Sequence, residues 1–462
     1  MLRDVLPGRP EARRLLAATF FSATGRGLTL PFMFIYLTKV RDVQSGTAGL
    51  IIAWMAVCAL TIGPIGGWAV DRYGARRIVL PLLLVEAAGV GSVGFAHTAW
   101  QAFLSVTLIG AGGGVIWAAN TTILSSVTDG LERQKTFGLS FALLNLGIGT
   151  GTVIAAAIVD LDRPGTFQLV YLIDASLYLV PFINLLTMRG VGRRIAPAAA
   201  TTTEQRQPGY REVFAHRGFR RLLAFSVVLT ISGYAQIEVG FTAFSIDVAH
   251  VGPQTVAYAF TANTLVIVLA QLFVVRLIQG RSRTRLLSLV GVIMGASWLI
   301  LGVAGAVDGR NLAVSAVAVI GCAAVFAFGE TLLSPISPTL LNAMATDELR
   351  GRFNALGSMV WGISGIVGPI TAAPLIGGGH STIWLGLTVA GCLTAALLAA
   401  SLRKVITADQ DGRAQPAVPT AADGPVPLAP TAAGGPVPVA PTAAEARVAQ
   451  ATNAEGRLSS AS

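Results

Sequence analysis

Long apolar runs separated by short, arginine-bearing turns form the pattern of the chain from Leu15 to Leu402. An α-helix needs roughly 20 apolar residues to cross a bilayer, and about a dozen runs of that length recur. They fall near 15–38, 47–70, 78–96, 99–126, 137–159, 167–188, 221–246, 254–277, 286–307, 312–340, 354–376 and 381–402. A basic, polar stretch at 189–220, containing Pro197–Thr203, divides them six and six. The pattern predicts an all-α membrane protein: a short N-terminus at 1–14, a six-helix bundle at 15–188, a linker at 189–220, and a second six-helix bundle at 221–404. Beyond it, residues 405–462 turn to Pro, Ala, Thr, Gly and Val with an approximate 11-residue repeat. So few large apolar groups cannot offset chain entropy, which predicts a disordered tail.

Composition removes the soluble alternative. Hydrophobic residues make up 53% and charged residues 12%, with mean hydropathy +0.67, so lipid is the solvent for most of the surface. Cations then set orientation, because Lys and Arg gather in cytoplasmic loops. One side carries Arg13, Arg14, Arg72, Arg76, Arg77, Arg133, the run Arg189–Arg221, Arg276–Arg285, Arg350, Arg352, Arg403 and Lys404; the other has Lys39, Arg41, Arg163 and Arg310. Both termini are therefore expected in the cytoplasm of a multi-pass cell-membrane protein. The net charge of +10 is assigned to lipid headgroups and topology rather than to nucleic acid. Cys58, Cys322 and Cys392 fall in apolar runs without metal-ligand spacing. No nucleotide loop, metal cluster or nucleophile triad stands out, so neither an enzyme nor a cofactor is expected.

An internal repeat supports two related halves. Asp129–Lys135 parallels Asp347–Arg352, and Gly147 and Gly151 stand opposite Ser364 and Gly368-Pro369 at a constant offset of 217 residues. The turn Gly66–Arg77 carries the most specific motif: Gly67, Asp71, Arg72, Gly74, Arg76 and Arg77 match the pattern Gly-x-x-x-Asp-Arg-x-Gly-Arg-Arg. It resembles the loop between helices 2 and 3 of the major facilitator superfamily. The resemblance implies a transporter of twelve helices in two parallel six-helix repeats, in which Asp71 meets helix 11 and latches the outward-facing state. The matching loop of the second half, Arg276–Arg283, keeps glycine and cations but has Leu277 where Asp71 would be, so the latch is expected to be one-sided. Proton-driven exporters of the superfamily carry Gly-x-x-x-Gly-Pro on helix 5. Here Gly147 and Gly151 remain, Thr152 replaces the proline, and the fuller version, Gly368-Pro369, lies on helix 11. The buried arginine many members have on helix 4 is missing from Leu108–Gly114.

A charge inside hydrocarbon is costly, so each intramembrane ionisable residue is a functional candidate. They are Arg26, Glu86, Asp174, Glu238 and Glu330. In the superfamily helices 1, 4, 7 and 10 line the cavity, which implies that Arg26, Glu238 and Glu330 face the transport path while Glu86 and Asp174 pack or pair. Helical spacing puts Trp117, Asn120, Thr121 and Leu124 on one face, and Tyr234, Glu238, Phe241 and Ser245 on another. Such a lining suits an amphiphilic small-molecule substrate. A proton is the expected second partner, held by Glu238 or Glu330 with Arg26 resetting the carboxylate. Gly25–Pro31 and Gly329–Pro335 look like the multidrug-efflux branch. The expected protein is a monomeric, proton-coupled exporter. An uptake symporter or uniporter, and a non-transporting receptor or scaffold, stay open at this point.

Overall fold

Prolines, glycines and side-chain caps mark where the helices begin and end. The structure is a computed structural model that describes residues 7–413 apart from 129, 189, 192–209, 279, 308 and 345–349. Helix α1 (Pro10–Ile35) starts on Pro10 with Glu11 in its first turn, where a missing N–H costs nothing and a negative charge meets the helix dipole. Then follow α2 (Ser45–Tyr73), α3 (Ala75–Val93), α4 (Ala99–Ser126), α5 (Gly130–Ile158) and α6 (Pro164–Thr187). Thr98 and Gln101 form a reciprocal cap at the start of α4. Gly74, at φ +91°, makes the turn between α2 and α3. Helix α6 is interrupted at Tyr178, where Pro181 cannot donate to the carbonyl four residues back.

The second half repeats the first: α7 (Arg217–Asp247), α8 (Pro253–Ile278), α9 (Arg283–Val307), α10 (Leu312–Met344), α11 (Arg350–Gly377) and α12 (Ser381–Leu402). Gly280, at φ +68°, occupies the turn between α8 and α9 as Gly74 does in the first half. The packing repeats too. α1 packs on α5 and α6, α4 on α2 and α3, and α3 on α6; correspondingly α7 packs on α11 and α12, α10 on α8 and α9, and α9 on α12. The halves meet where α2 packs on α11 and α5 on α8. Among the described residues there are helices and turns only.

Ten of these helices are long and apolar enough to cross a membrane; α1 and α3 are not among them. Those two carry Arg13, Arg14 and Arg26, and Arg76, Arg77 and Glu86, respectively. Phe273, Leu397 and Val317 are 75%, 72% and 71% exposed, an arrangement that water would penalise and lipid does not. Since lipid tails are as apolar as leucine, packing between helices must come from close contact of small residues. The α1/α5 crossing is built that way: a methyl at Gly27 would overlap the Ile148 carbonyl, one at Gly151 the Thr24 carbonyl, and one at Gly147 would come within 2.7 Å of Ala23 Cβ. Thr152, where the motif has proline, donates instead to the Gly27 carbonyl at 3.2 Å. Gly368 on α11 meets the Ala235 backbone of α7 in the same manner, and a methyl at Gly49 on α2 would come within 2.6 Å of the Pro369 carbonyl.

Three sequence-based boundaries shift. Helix α1 begins at Pro10, inside the expected N-terminal extension, because Ala12 and Leu16 are buried on its inner face. The expected linker ends in structure: Tyr210–Ala215 is a short helix, Val213 is fully buried, and His216 caps α7 by accepting from the Phe219 N–H at 3.1 Å. The tail, expected to be disordered from 405, instead folds through Arg413. Ile406 packs into the core, and the Asp411 carboxylate accepts from Thr284 N–H and Ser282 Oγ, each at 2.8 Å. Asp411 thereby caps α9, and Arg283 donates its backbone N–H to the Asp411 carbonyl and its side chain to the Gln410 carbonyl. The α8–α9 turn has no carboxylate of its own, as expected, but it receives one from the tail. Residues from 414 onward lie outside the described residues.

Candidate functional site

Gly25-Arg26-Gly27 shows how the sequence builds the site. Gly25 leaves room for Asp174 of α6, and Gly27 leaves room for the α5 backbone, so Arg26 is held between two closely approaching helices at the middle of α1. Its guanidinium stacks over the Trp117 ring of α4, 5.7 Å from the centroid. Glu86, Asp174, Tyr178 and Glu238 all interact with it electrostatically. Among the described residues none of these carboxylates forms a direct ion pair with it.

Around Arg26 lies a cavity of about 330 Å³ walled by α1, α3, α4, α5 and α6. It runs from Arg26 and Glu86 at mid-helix toward the arginine-rich ends, past Leu15, Val79, Leu124 and Phe137. The expected α4 face of Trp117, Asn120, Thr121 and Leu124 lines it, and Trp117 is 55% exposed. At the opposite end of the molecule the two halves touch: Lys39, at the end of α1, pairs with Asp247, at the end of α7, at 2.6 Å. Asp247 is thereby tied to the first half.

Glu86 stands in a different place from the one its helix number implied. It lines the cavity while being 97% buried, with 3% of its surface accessible. The glycines of α4 make this possible, since Gly112 approaches Glu86 Cβ and Gly113 approaches Glu86 Oε1. The stretch that lacks the helix-4 arginine is thus a socket for a carboxylate from α3. Tyr178 donates to Glu86 Oε1 at 3.0 Å, and Thr29 donates to Asp174 Oδ2 at 2.6 Å. Glu86 Oε2 and Asp174 Oδ1 have no hydrogen-bond partner.

The second half contributes differently. Tyr234 packs edge-on against Phe326 at 5.5 Å and against Trp361 at 4.8 Å, and Trp361 is 55% exposed. Glu238 is exposed and within electrostatic reach of Arg26. Phe241 leaves the expected face, being 1% exposed and packed on Phe260. The reason is that α7 contains two π-helical turns, Thr230–Tyr234 and Ile237–Phe241, whose wider spacing breaks the 3.6-residue register. Glu330 belongs to a separate cluster with Asn263 and Tyr234, not to Arg26. Sequence reasoning missed Trp361 altogether.

In the α2–α3 turn, Gly67 faces open space and Arg72 stacks on Trp68 and Tyr73 at 5.8 Å each. Arg76 donates to the Met188 and Leu186 carbonyls at 2.7 and 2.6 Å, tying the turn to the end of α6. Arg77 is exposed, and the side chain of Asp71 lies outside the described residues.

Comparison with known proteins agrees with this architecture. The chain is 23% identical over 366 residues to the uncharacterized MFS-type transporter YqjV of Bacillus subtilis, covering 78% of this chain and 85% of that protein. It is 25% identical over 380 residues to multidrug resistance protein MdtH of Aeromonas hydrophila, covering 80% and 90%. Among solved structures, a POT family transporter in complex with 5-aminolevulinic acid superposes with a TM-score of 0.73 at 13% identity, over 87% of this chain and 99% of that one. The POT family transporter PepTSo superposes at 0.70 with 15% identity, over 86% and 99%. The family model for the Major Facilitator Superfamily matches residues 15–369, and the chain belongs to that superfamily of membrane transporters.

Proposed function

We propose that the protein exports amphiphilic small organic molecules in exchange for protons, by alternating access in the cell membrane. The observation that carries this reading is the cavity itself, with apolar walls of Leu15, Val79, Leu83 and Phe137 and charge confined to its deep end at Arg26 and Glu86. Such a site accepts an apolar body and fixes one polar head. Relatives named for multidrug resistance favour export over uptake. α1 and α3 are read as spans despite their charges, which makes twelve with both termini in the cytoplasm. The Lys39–Asp247 end is then external and closed, and the cavity faces the cytoplasm. Asp71 acts as the latch, and a single chain suffices for transport.

The test is flux in proteoliposomes under an imposed pH gradient, with a panel of fluorescent amphiphiles. Export predicts substrate movement opposite to the proton gradient. Movement in the same direction as the protons would establish the uptake reading, and absence of flux from folded protein would overturn transport. Asp71→Asn should insert normally and transport poorly.

A further inference from the structure

We infer that Gln236 is a positioning residue for transport: its side-chain amide clips α7 into a π-helical register, and that register aims Glu238 at Arg26 of the other half. The inference rests on the chain being a transporter and not on export or on protons. π-Helical turns are rare, arise mostly as single insertions in α-helices and are frequent at functional sites. α7 has two, Thr230–Tyr234 and Ile237–Phe241, separated by Ala235 and Gln236 alone. In the first, the Ala235 N–H reaches back five residues to the Thr230 carbonyl.

The amide of Gln236 is used at both ends. Nε2 donates to the Ile231 carbonyl inside the first π turn at 2.9 Å, and Oε1 accepts from the Trp384 indole of α12 at 2.7 Å. Gln236 is 3% exposed, so neither end is open to a substrate. Glycines admit the neighbouring helices on both sides: a methyl at Gly240 would run into the Trp384 ring, and one at Gly368 of α11 would overlap the Ala235 carbonyl between the two turns. Tyr234, the last residue of the first turn, is held from the same wall. Trp384 packs on Trp298 at 5.6 Å, Trp298 on Phe326 at 5.8 Å and Phe326 on Tyr234 at 5.5 Å.

Register decides where Glu238 points. It is the exposed residue of the second turn and lies within electrostatic reach of Arg26, whereas Val239 is fully buried. An α-helix turns about 100° per residue. Replacing the first π turn by an α turn would advance everything after it by about that angle and present Ile237 in place of Glu238. The clip opposes this change, because rotation would strip Gln236 from Trp384 and leave an amide and an indole N–H unpaired in apolar surroundings, where each is costly. One element thus carries a charge aimed at the first half and a lock anchored only in the second.

The experiment labels single introduced cysteines in the purified full chain with a water-soluble thiol reagent. The three native cysteines are buried, and the chain without an added cysteine supplies the blank. With Gln236 in place, Glu238→Cys should label faster than Ile237→Cys or Val239→Cys. In Gln236→Leu, which keeps the bulk and loses both hydrogen bonds, the fastest position should move by one residue, from 238 to 237. Flux of the amphiphile panel should fall in Gln236→Leu even with Glu238 present. Trp384→Phe keeps the ring packing and removes the indole donor; added to Gln236→Leu it should change labelling and flux no further, because both act through one clip. Labelling that stays fastest at 238 in Gln236→Leu would overturn the inference, and so would an equal rise at all three positions, which is loosening without a change of register. A shifted register with undiminished flux would overturn the role in transport. If Gln236→Leu does not fold, Trp384→Phe alone must slow labelling at 238 relative to 237, and an unchanged ratio counts against the clip. Should the wild-type chain carry none of the panel, the amphiphile reading fails while the labelling pattern still decides the register.

Discussion

Asp411→Ala should loosen the start of α9 without touching the cavity. The carboxylate is fully buried and holds Thr284 N–H, Ser282 Oγ and Arg413 Nε. Loss of a helix cap costs about 1 kcal/mol, and loss of a charged hydrogen bond from Ser282 about 1.5–3 kcal/mol. Together they lower local stability by about 2.5–4 kcal/mol, which corresponds to roughly 60- to 700-fold faster exchange of the first α9 amides if they exchange by local opening. Hydrogen exchange followed by mass spectrometry on the 281–290 peptide reads this directly. Asp409→Ala, a neighbouring exposed carboxylate, serves as the control. The clasp also has a pH signature. Burial pushes the Asp411 carboxyl up, but hydrogen bonds from the Thr284 backbone, Ser282, the Thr284 hydroxyl and Arg413 outweigh it, so the net direction is below the ordinary carboxylate range. Its stabilisation is therefore complete above the unfolded-chain value of about 3.9 and is lost only as pH falls below that, through the lower folded value. Protection of this peptide that is unchanged in Asp411→Ala, or that varies between pH 5 and 8 in wild type through Asp411, would refute the reasoning.

Three other outcomes follow from the packing. Removing 414–462 should leave transport intact, whereas a cut before Asp409 should reproduce the α9 loosening; equal flux and equal exchange from both truncations would count against the clasp. Lys39→Cys with Asp247→Cys, at the ends of α1 and α7 where the side chains now pair, should cross-link under oxidation and block flux until reduced, as measured by substrate counterflow. Gly151→Val should abolish monodisperse protein in gel filtration because its side chain would enter the Thr24 carbonyl, while Gly67→Ala, which meets nothing within 4 Å, should not.

The helical layout was legible because the apolar runs and their glycine and proline punctuation are local features. Close packing of α5 was legible through Gly147 and Gly151, but its partner α1 was not. What could not be read was pairing across helices. Glu86 and Asp174 were visible as intramembrane acids and were assigned to packing or pairing, away from the transport path, by helix number. Their true positions depend on Gly25, Gly112 and Gly113, whose meaning appears only when the neighbouring helix is in place. Phe241 was misplaced because a 3.6-residue period cannot register a π-helical turn. Asp411 was hidden for another reason: it is a buried carboxylate at the start of a Pro- and Ala-rich tail, 129 residues from Ser282.

The glycine seam between α1 and α5 has a mechanical consequence. Backbone touching backbone at Gly27, Gly147 and Gly151 leaves no compressible side-chain layer, so the two helices cannot slide past each other and must behave as one stiff lever. Any motion that exposes Arg26 to the other side of the membrane would have to carry α5 with it, and slack must be taken up where α5 meets α8 and α2 meets α11. Pulsed-dipolar distances between spin labels on α1 and α5 should therefore stay constant through the transport cycle while those across α2 and α11 change. A lever of this kind would deliver an event at Arg26, over the length of α5, to the seam between the halves as rotation rather than as local rearrangement.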